Sequence, residues 1–134
     1  MAAERINPDS MYNSLEFGFS HASLSEGGRM LHLAGQVAWD KDRKLVGGES
    51  IGAQAAQCLA NLKEVLELHG ATPADLVRIR TYVVNHSPDK LEPVAGALMA
   101  FYGDVTPAPN TWIGVQALAL PEFLIEIEGT AVLG

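Results

Sequence analysis

One stretch near the C-terminus constrains the fold more than any other part of the chain. Pro107 to Leu133 reads PAPNTWIGVQALALPEFLIEIEGTAVL. It holds two β-rich runs, Thr111–Val115 and Phe123–Leu133, joined by a short Ala/Leu/Pro connection. Runs of this kind predict two neighbouring strands near the centre of a sheet. In the second run Glu126 and Glu128 are two residues apart, so both carboxylates project from one face. Ile125 and Ile127 occupy the other. A carboxylate on a strand this apolar is paired, solvated in a cleft, or chemically engaged. Pro107-Ala108-Pro109 is a rigid entry to the first run, unable to donate a ladder hydrogen bond at either proline. A functional site is expected to use this segment as its floor.

The rest of the chain supplies partners for these strands. Residues 1–10 are polar with an Asn7-Pro8 turn signal, and predict a loose leader. Tyr12–Ala22 reads as a first strand, weakened by Gly18. Ser25-Glu26-Gly27-Gly28 is a tight turn with hairpin geometry, because no helix follows it to make a phosphate cradle. Arg29–Val37 is a second strand, with Leu31 and Leu33 on one face and Met30 and Ala34 on the other. Trp39–Gly48 is a polar loop. Ser50 is a candidate N-cap for a helix over 51–69, and Gly70 its left-handed stop. Ile51, Ala55, Cys58, Leu59, Leu62, Val65 and Leu66 recur at helical spacing. Leu76–Val84 is a third strand, with Arg78, Arg80 and Tyr82 opposite Val77, Ile79, Thr81 and Val83. Ser87-Pro88 opens a second helical region to Tyr102, with Pro93 in a fresh first turn and Leu91, Ala95, Leu98 and Tyr102 as its stripe.

The order is β-β-α-β-α-β-β, an α+β domain over residues 1–134 with two helices on one face of a mixed sheet. Several strands are apolar on both faces, yet two helices cover only one. The second face is expected to be covered by another copy of the chain.

Charge and motif content exclude several functions. The net charge is −7 and no Lys/Arg run exists, which disfavours nucleic acid and anionic membrane surfaces as partners. No apolar run approaches the ~20 residues of a membrane span. The N-terminal MAAERINPDS lacks an apolar signal core, so a cytoplasmic location is expected. Cys58 is the single cysteine, on a helical apolar stripe, and reads as a buried thiol. The histidines, His21, His32, His69 and His86, have no ligand spacing, so no metal site is expected. His32 reads as a hydrogen-bonded structural residue. There is no nucleophile elbow, P-loop or dinucleotide fingerprint. Glu126 remains, poised by partial burial to hold or activate water. Glu128 reads as a cross-strand partner of Arg78 or Arg80, or as a second working carboxylate. Arg80 is a possible substrate anchor; an ion pair is its plainer role.

Residues spread through the chain also resemble a known pattern. Gly18-Phe19-Ser20-His21-Ala22 is similar to G-P-Y-S-Q-A, and Leu33-Ala34-Gly35-Gln36 to V-S-G-Q. Gln54 and Asn61-Leu62 match Q…N-L on a long helix. Asp75-Leu76-Val77…Thr81-Tyr82-Val83 matches D-(I/L)-V-K-x-x-V-Y-(V/L). Phe101-Tyr102, Pro107-Ala108 and Ile125-Glu126-Ile127-Glu128…Ala131 complete the set. In number, order and spacing these resemble the RidA family, also called YjgF or L-PSP proteins, from about Phe17 to Leu133. The resemblance implies a chorismate-mutase-like fold, a homotrimer with clefts between subunits, and hydrolysis of small enamines and imines without cofactor or metal. Some members are described as ribonucleases or translation inhibitors; the acidic charge here argues against that role.

The departures concern the site. The family's deaminases read P-A-R-S, and that arginine grips the substrate carboxylate through a two-pronged hydrogen bond. Pro109 stands there instead. Thr111 holds a position usually Cys or Thr. Phe19, or Ser20 if the gap is placed differently, replaces a tyrosine. Ala34 replaces a serine and Ala95 an asparagine. Gly35, Gln36 and Glu126 are kept. The resemblance therefore implies a cleft lined by Phe19, Ser20, Gly35, Gln36, Pro109 and Thr111, with Glu126 positioning water and a ligand less anionic at the Pro109 end. The alternative is a non-catalytic trimer that binds a small metabolite or a protein partner.

Overall fold

The computed structural model describes residues 3–134. Eight strands and helices follow in the order β1 (Glu4–Ile6), β2 (Ala22–Leu24), β3 (Arg29–Gln36), α1 (Ile51–Leu68), β4 (Leu76–Val84), α2 (Leu91–Tyr102), β5 (Asn110–Val115) and β6 (Ile125–Leu133). The main sheet is ordered β3-β6-β4-β5, with β4 and β5 parallel and the other pairs antiparallel. A separate two-stranded sheet joins β1 to β2.

Period-two alternation sets the two faces of the main sheet. Along β4, Ile79, Thr81 and Val83 are buried while Arg78, Arg80 and Tyr82 alternate with them. Along β6, Ile125, Ile127 and Ala131 are buried on the same side. The helices lie over this side: Cys58, Leu59, Leu62 and Leu66 of α1 and Val94, Leu98 and Tyr102 of α2 form one core with it. Each fully buried Leu or Ile contributes roughly 1.5–3 kcal/mol. Ser50 caps α1 through its hydroxyl on the Ala53 N–H, and Gly70 (φ 69°) follows the helix in the left-handed region. Two polar residues complete the anchoring of α1. Gln54, fully buried, donates to the carbonyls of Gly48 (2.7 Å) and Glu122 (3.0 Å) and accepts from the Leu124 N–H (3.0 Å). Asn61 donates to the carbonyls of Val37 and Trp39, both at 3.1 Å. These are the Q and N of the helix pattern, and they satisfy loop carbonyls that the fold removes from water.

Several sequence expectations are corrected. β5 and β6 are not neighbours, since β4 lies between them. The nine-residue β4 matches β6 along its apolar face, and the six-residue β5, entered through a proline, takes the edge. Tyr12–Ala22 is not a strand, except that Ala22 begins β2. Asn13 accepts from the Leu15 N–H and starts a single 3₁₀ turn, Ser14–Phe17, which Gly18 ends at φ 83°; local turn chemistry overrides apolar content there. Gly27 and Gly28 do turn the chain, both at positive φ, but they join strands of different sheets rather than a hairpin. Within the expected leader, Glu4–Ile6 form a strand; Met1 and Ala2 lie outside the described residues. On α2, Val94 is buried and Leu91 is 45% exposed, because a 3₁₀ turn at Pro88–Lys90 resets the helical phase. His32 is exposed on the uncovered face of β3, not buried.

Candidate functional site

The uncovered face of the main sheet carries the polar residues singled out above. Strand register places Thr111, Arg80 and Glu128 in one row across β5, β4 and β6, and Ile113, Tyr82 and Glu126 in the next. Arg80 Nη1 stands 4.0 Å from Glu128 Oε1, and the Tyr82 hydroxyl donates to the same carboxylate oxygen. Glu128 is therefore held in a cross-strand cluster with Arg80. Both side chains are about a third exposed, so the pair is a weak stabiliser.

Glu126 is in a different situation. A Cβ built on Gly35 would lie 2.1 Å from Glu126 Oε2. The carboxylate thus rests against bare backbone where β3 bulges between Leu33 and Gln36, a place only glycine leaves open. Burial pushes the Glu126 carboxyl above its ordinary range, and the nearby Glu128 charge adds to the rise. Gln36 turns its amide back onto the Ala34 carbonyl at 3.2 Å.

A second locus opens at the start of β4 and β5. A cleft of about 350 Å³ is lined by Phe19, Ser20, Pro109 and Thr111, together with His21, Ala22, Ser23, Val77, Arg78 and Asn110. Its wall is tied in place from the N-terminus. Ser20 bridges to Pro109 in parallel, its N–H donating to the Ala108 carbonyl at 3.2 Å and its hydroxyl to the Pro107 carbonyl. Asn7 donates to the Ser20 hydroxyl (3.1 Å) and accepts from the His21 N–H (2.9 Å) and the Ser14 hydroxyl (3.2 Å). Arg5 donates to the carbonyls of Thr106, Pro73 and Leu76. Phe19 and His21 pack edge-on against Tyr12.

Four of the expected residues, Phe19, Ser20, Pro109 and Thr111, thus meet in one cleft. Gly35, Gln36, Glu126 and Arg80 do not line it. Glu126 is two strands from Thr111, about 10 Å at ordinary strand spacing, and one row further along. Arg78 was missed as a cleft residue: it shares the alternation of Arg80 and stands two residues closer to Pro109 along β4, but nothing in the spacing distinguishes the two. Asn7 was missed because a turn signal says nothing about long-range partners. Among the described residues, no three His, Cys, Asp or Glu side chains are grouped to hold a metal ion, and no helix is long and apolar enough to cross a membrane.

A small α+β domain with a mixed four-stranded sheet and two helices on one side is a fold shared with solved structures. The model of the family described as Endoribonuclease L-PSP matches residues 13–133, and the chain belongs to this family, the RidA/YjgF proteins. A Rid-family protein of unknown function from Yersinia pestis, YyfB, is 60% identical, with 99% of this chain and 100% of that chain covered and a TM-score of 0.95. A candidate endoribonuclease from Thermotoga maritima is 29% identical over 99% of this chain and 92% of its own, with a TM-score of 0.70. A YjgF/YER057c/UK114 family member from Mycobacterium tuberculosis is 26% identical over 98% and 100%, with a TM-score of 0.65.

Proposed function

We propose that the protein is a hydrolase of small enamines or imines, working as a homotrimer at clefts between subunits. The observation that carries this reading is the Glu126 carboxylate held against Gly35. Its raised pKa makes it a stronger base than an exposed glutamate. Water hydrogen-bonded to it adds to the imine carbon, the proton passes to nitrogen, and ammonia leaves a carbonyl product. Glu126 and the Phe19/Thr111 cleft are apart within one chain, and the sheet face between them is uncovered. A second copy packed on that face completes a site from the Glu126 half of one subunit and the cleft half of the next. The acidic net charge of −7 supports a small substrate over RNA.

The test is ammonia release from freshly generated 2-aminoacrylate and longer imines. Native protein is expected to accelerate it, Glu126→Gln to lose about 10²–10⁴ of the rate, and activity to fall on the acid side at a pH above the ordinary glutamate range. A native protein no faster than buffer, with a Pro109→Arg variant that is active, would show a competent scaffold with another ligand. Inactivity of both supports the second reading, a non-catalytic trimer that binds a small metabolite. Pro109, which lines the cleft without a donor or charge, is what favours that alternative.

A further inference from the structure

Proline at position 109 leaves the cleft without a cation at that point, but not without a cation. Arg78 lines the cleft, one strand over from Pro109: the next register pair is Ile79 with Asn110, and the Ile79 N–H donates to the Pro109 carbonyl at 2.9 Å. Arg78 also lines the smaller adjoining cavity of about 90 Å³ over Glu128 and Thr130. Arg78 is thus a lining residue of both spaces.

The state of the other lining groups decides what Arg78 can do. Ser20 is engaged with Asn7 and Pro107, and Ser23 donates to the Val77 carbonyl. The His21 ring bonds the Tyr12 carbonyl at 2.8 Å, and Asn110 Oδ1 accepts from the Thr81 hydroxyl. Arg78, by contrast, makes no ion pair and donates no hydrogen bond among the described residues, whereas Arg80 already faces Glu128. No Asp or Glu lines the cleft, although acidic residues outnumber basic ones 16 to 9 in the chain. An uncommitted guanidinium in a carboxylate-free cleft of an acidic protein offers a planar fork of donors to an anion and repels cations. Thr111 lines the same cleft.

The geometry points to Arg78, rather than position 109 or Arg80, as the residue that anchors the ligand, and to a small carboxylate as the group it holds. This rests on reading the cleft as the ligand site, and it revises the expectation of a less anionic ligand. Arg78 selects and orients; it takes no part in the proton transfers assigned to Glu126.

Binding and turnover separate the two ideas. Full-length protein is titrated with pyruvate and with pyruvamide, its uncharged analogue, by NMR at low ionic strength. Native protein is expected to bind pyruvate saturably and pyruvamide at least about tenfold more weakly. Arg78→Met is expected to weaken pyruvate by about tenfold or more, Arg78→Lys to restore part of it, and Arg80→Met to leave it within about threefold, all with unchanged melting. Equal binding of pyruvate by native and Arg78→Met protein, equal binding of pyruvate and pyruvamide, or no saturable pyruvate binding would each overturn the assignment. Imine turnover is followed in parallel. Carboxylate binding through Arg78 without turnover sinks the hydrolase reading and keeps the anchor; turnover indifferent to Arg78 does the reverse.

Discussion

At the scale of single residues, Glu126 and Gly35 act as one unit. A methyl group on Gly35 would displace the carboxylate, which is the far end of a flexible side chain, so the fold has room to respond. Gly35→Ala is therefore expected to lower turnover at least about tenfold while circular dichroism and melting change little. Linkage gives a second prediction. The Glu126 pKa is raised in the folded state, so its ionisation works against the fold. That destabilisation is absent below the unfolded value of about 4.3, grows as pH rises through it, and is complete above the folded value. Glu126→Gln should thus be slightly more stable than native protein at neutral pH, with the difference vanishing near pH 4 in urea titrations. Cys58 is the contrasting case. It is fully buried, its thiol donates toward the Ile125 carbonyl, and burial pushes its pKa to about 12. Thiol reagents are expected to label it only in unfolded protein.

At the scale of elements, the first strand is the piece that sequence reading undervalued. β1 is three residues long, yet Arg5 reaches three distant carbonyls, on the loop before β5, the 3₁₀ turn at Pro73 and the start of β4. Arg5→Ala removes those donors and leaves part-buried carbonyls unsatisfied, an expected loss of about 1–3 kcal/mol in denaturant unfolding. The long elements were legible because their periodicity is strong: Leu76–Val84 has the predicted bounds, and the predicted helix over 51–69 ends one residue earlier. Most of Tyr12–Ala22 is not strand because Asn13 and Gly18 set a local turn there, and only its last residue, Ala22, finds a partner in β1. Gln54 lies at the edge of the apolar stripe, four residues before Cys58, and its three loop partners satisfy the amide that this position buries.

At the scale of the whole molecule, the uncovered sheet face is the outstanding fact. Met30 is 60% exposed there, and the face continues into Tyr82, Val84 and Ile113. An apolar face of this kind is stable in water when another copy covers it. Light scattering at micromolar concentration is expected to give three times the chain mass of 14.3 kDa, about 43 kDa. A monomeric mass would remove both the trimer and the shared site.

Alternation and helical spacing, being local properties of the chain, determined by themselves that this protein is an α+β domain, that Ile79, Thr81 and Val83 share one face of β4, and that Glu126 projects opposite Ile125 and Ile127. The motif set carried the family. Neighbour relations are a different matter, because they depend on which ladders form and which carbonyls need donors. Only the tertiary structure placed β4 between β5 and β6, rested Glu126 on Gly35, tied Asn7 to Ser20, and separated Arg78 in the cleft from Arg80 beside Glu128. Two arginines with the same alternation are equivalent in sequence, and the packing around each makes them different.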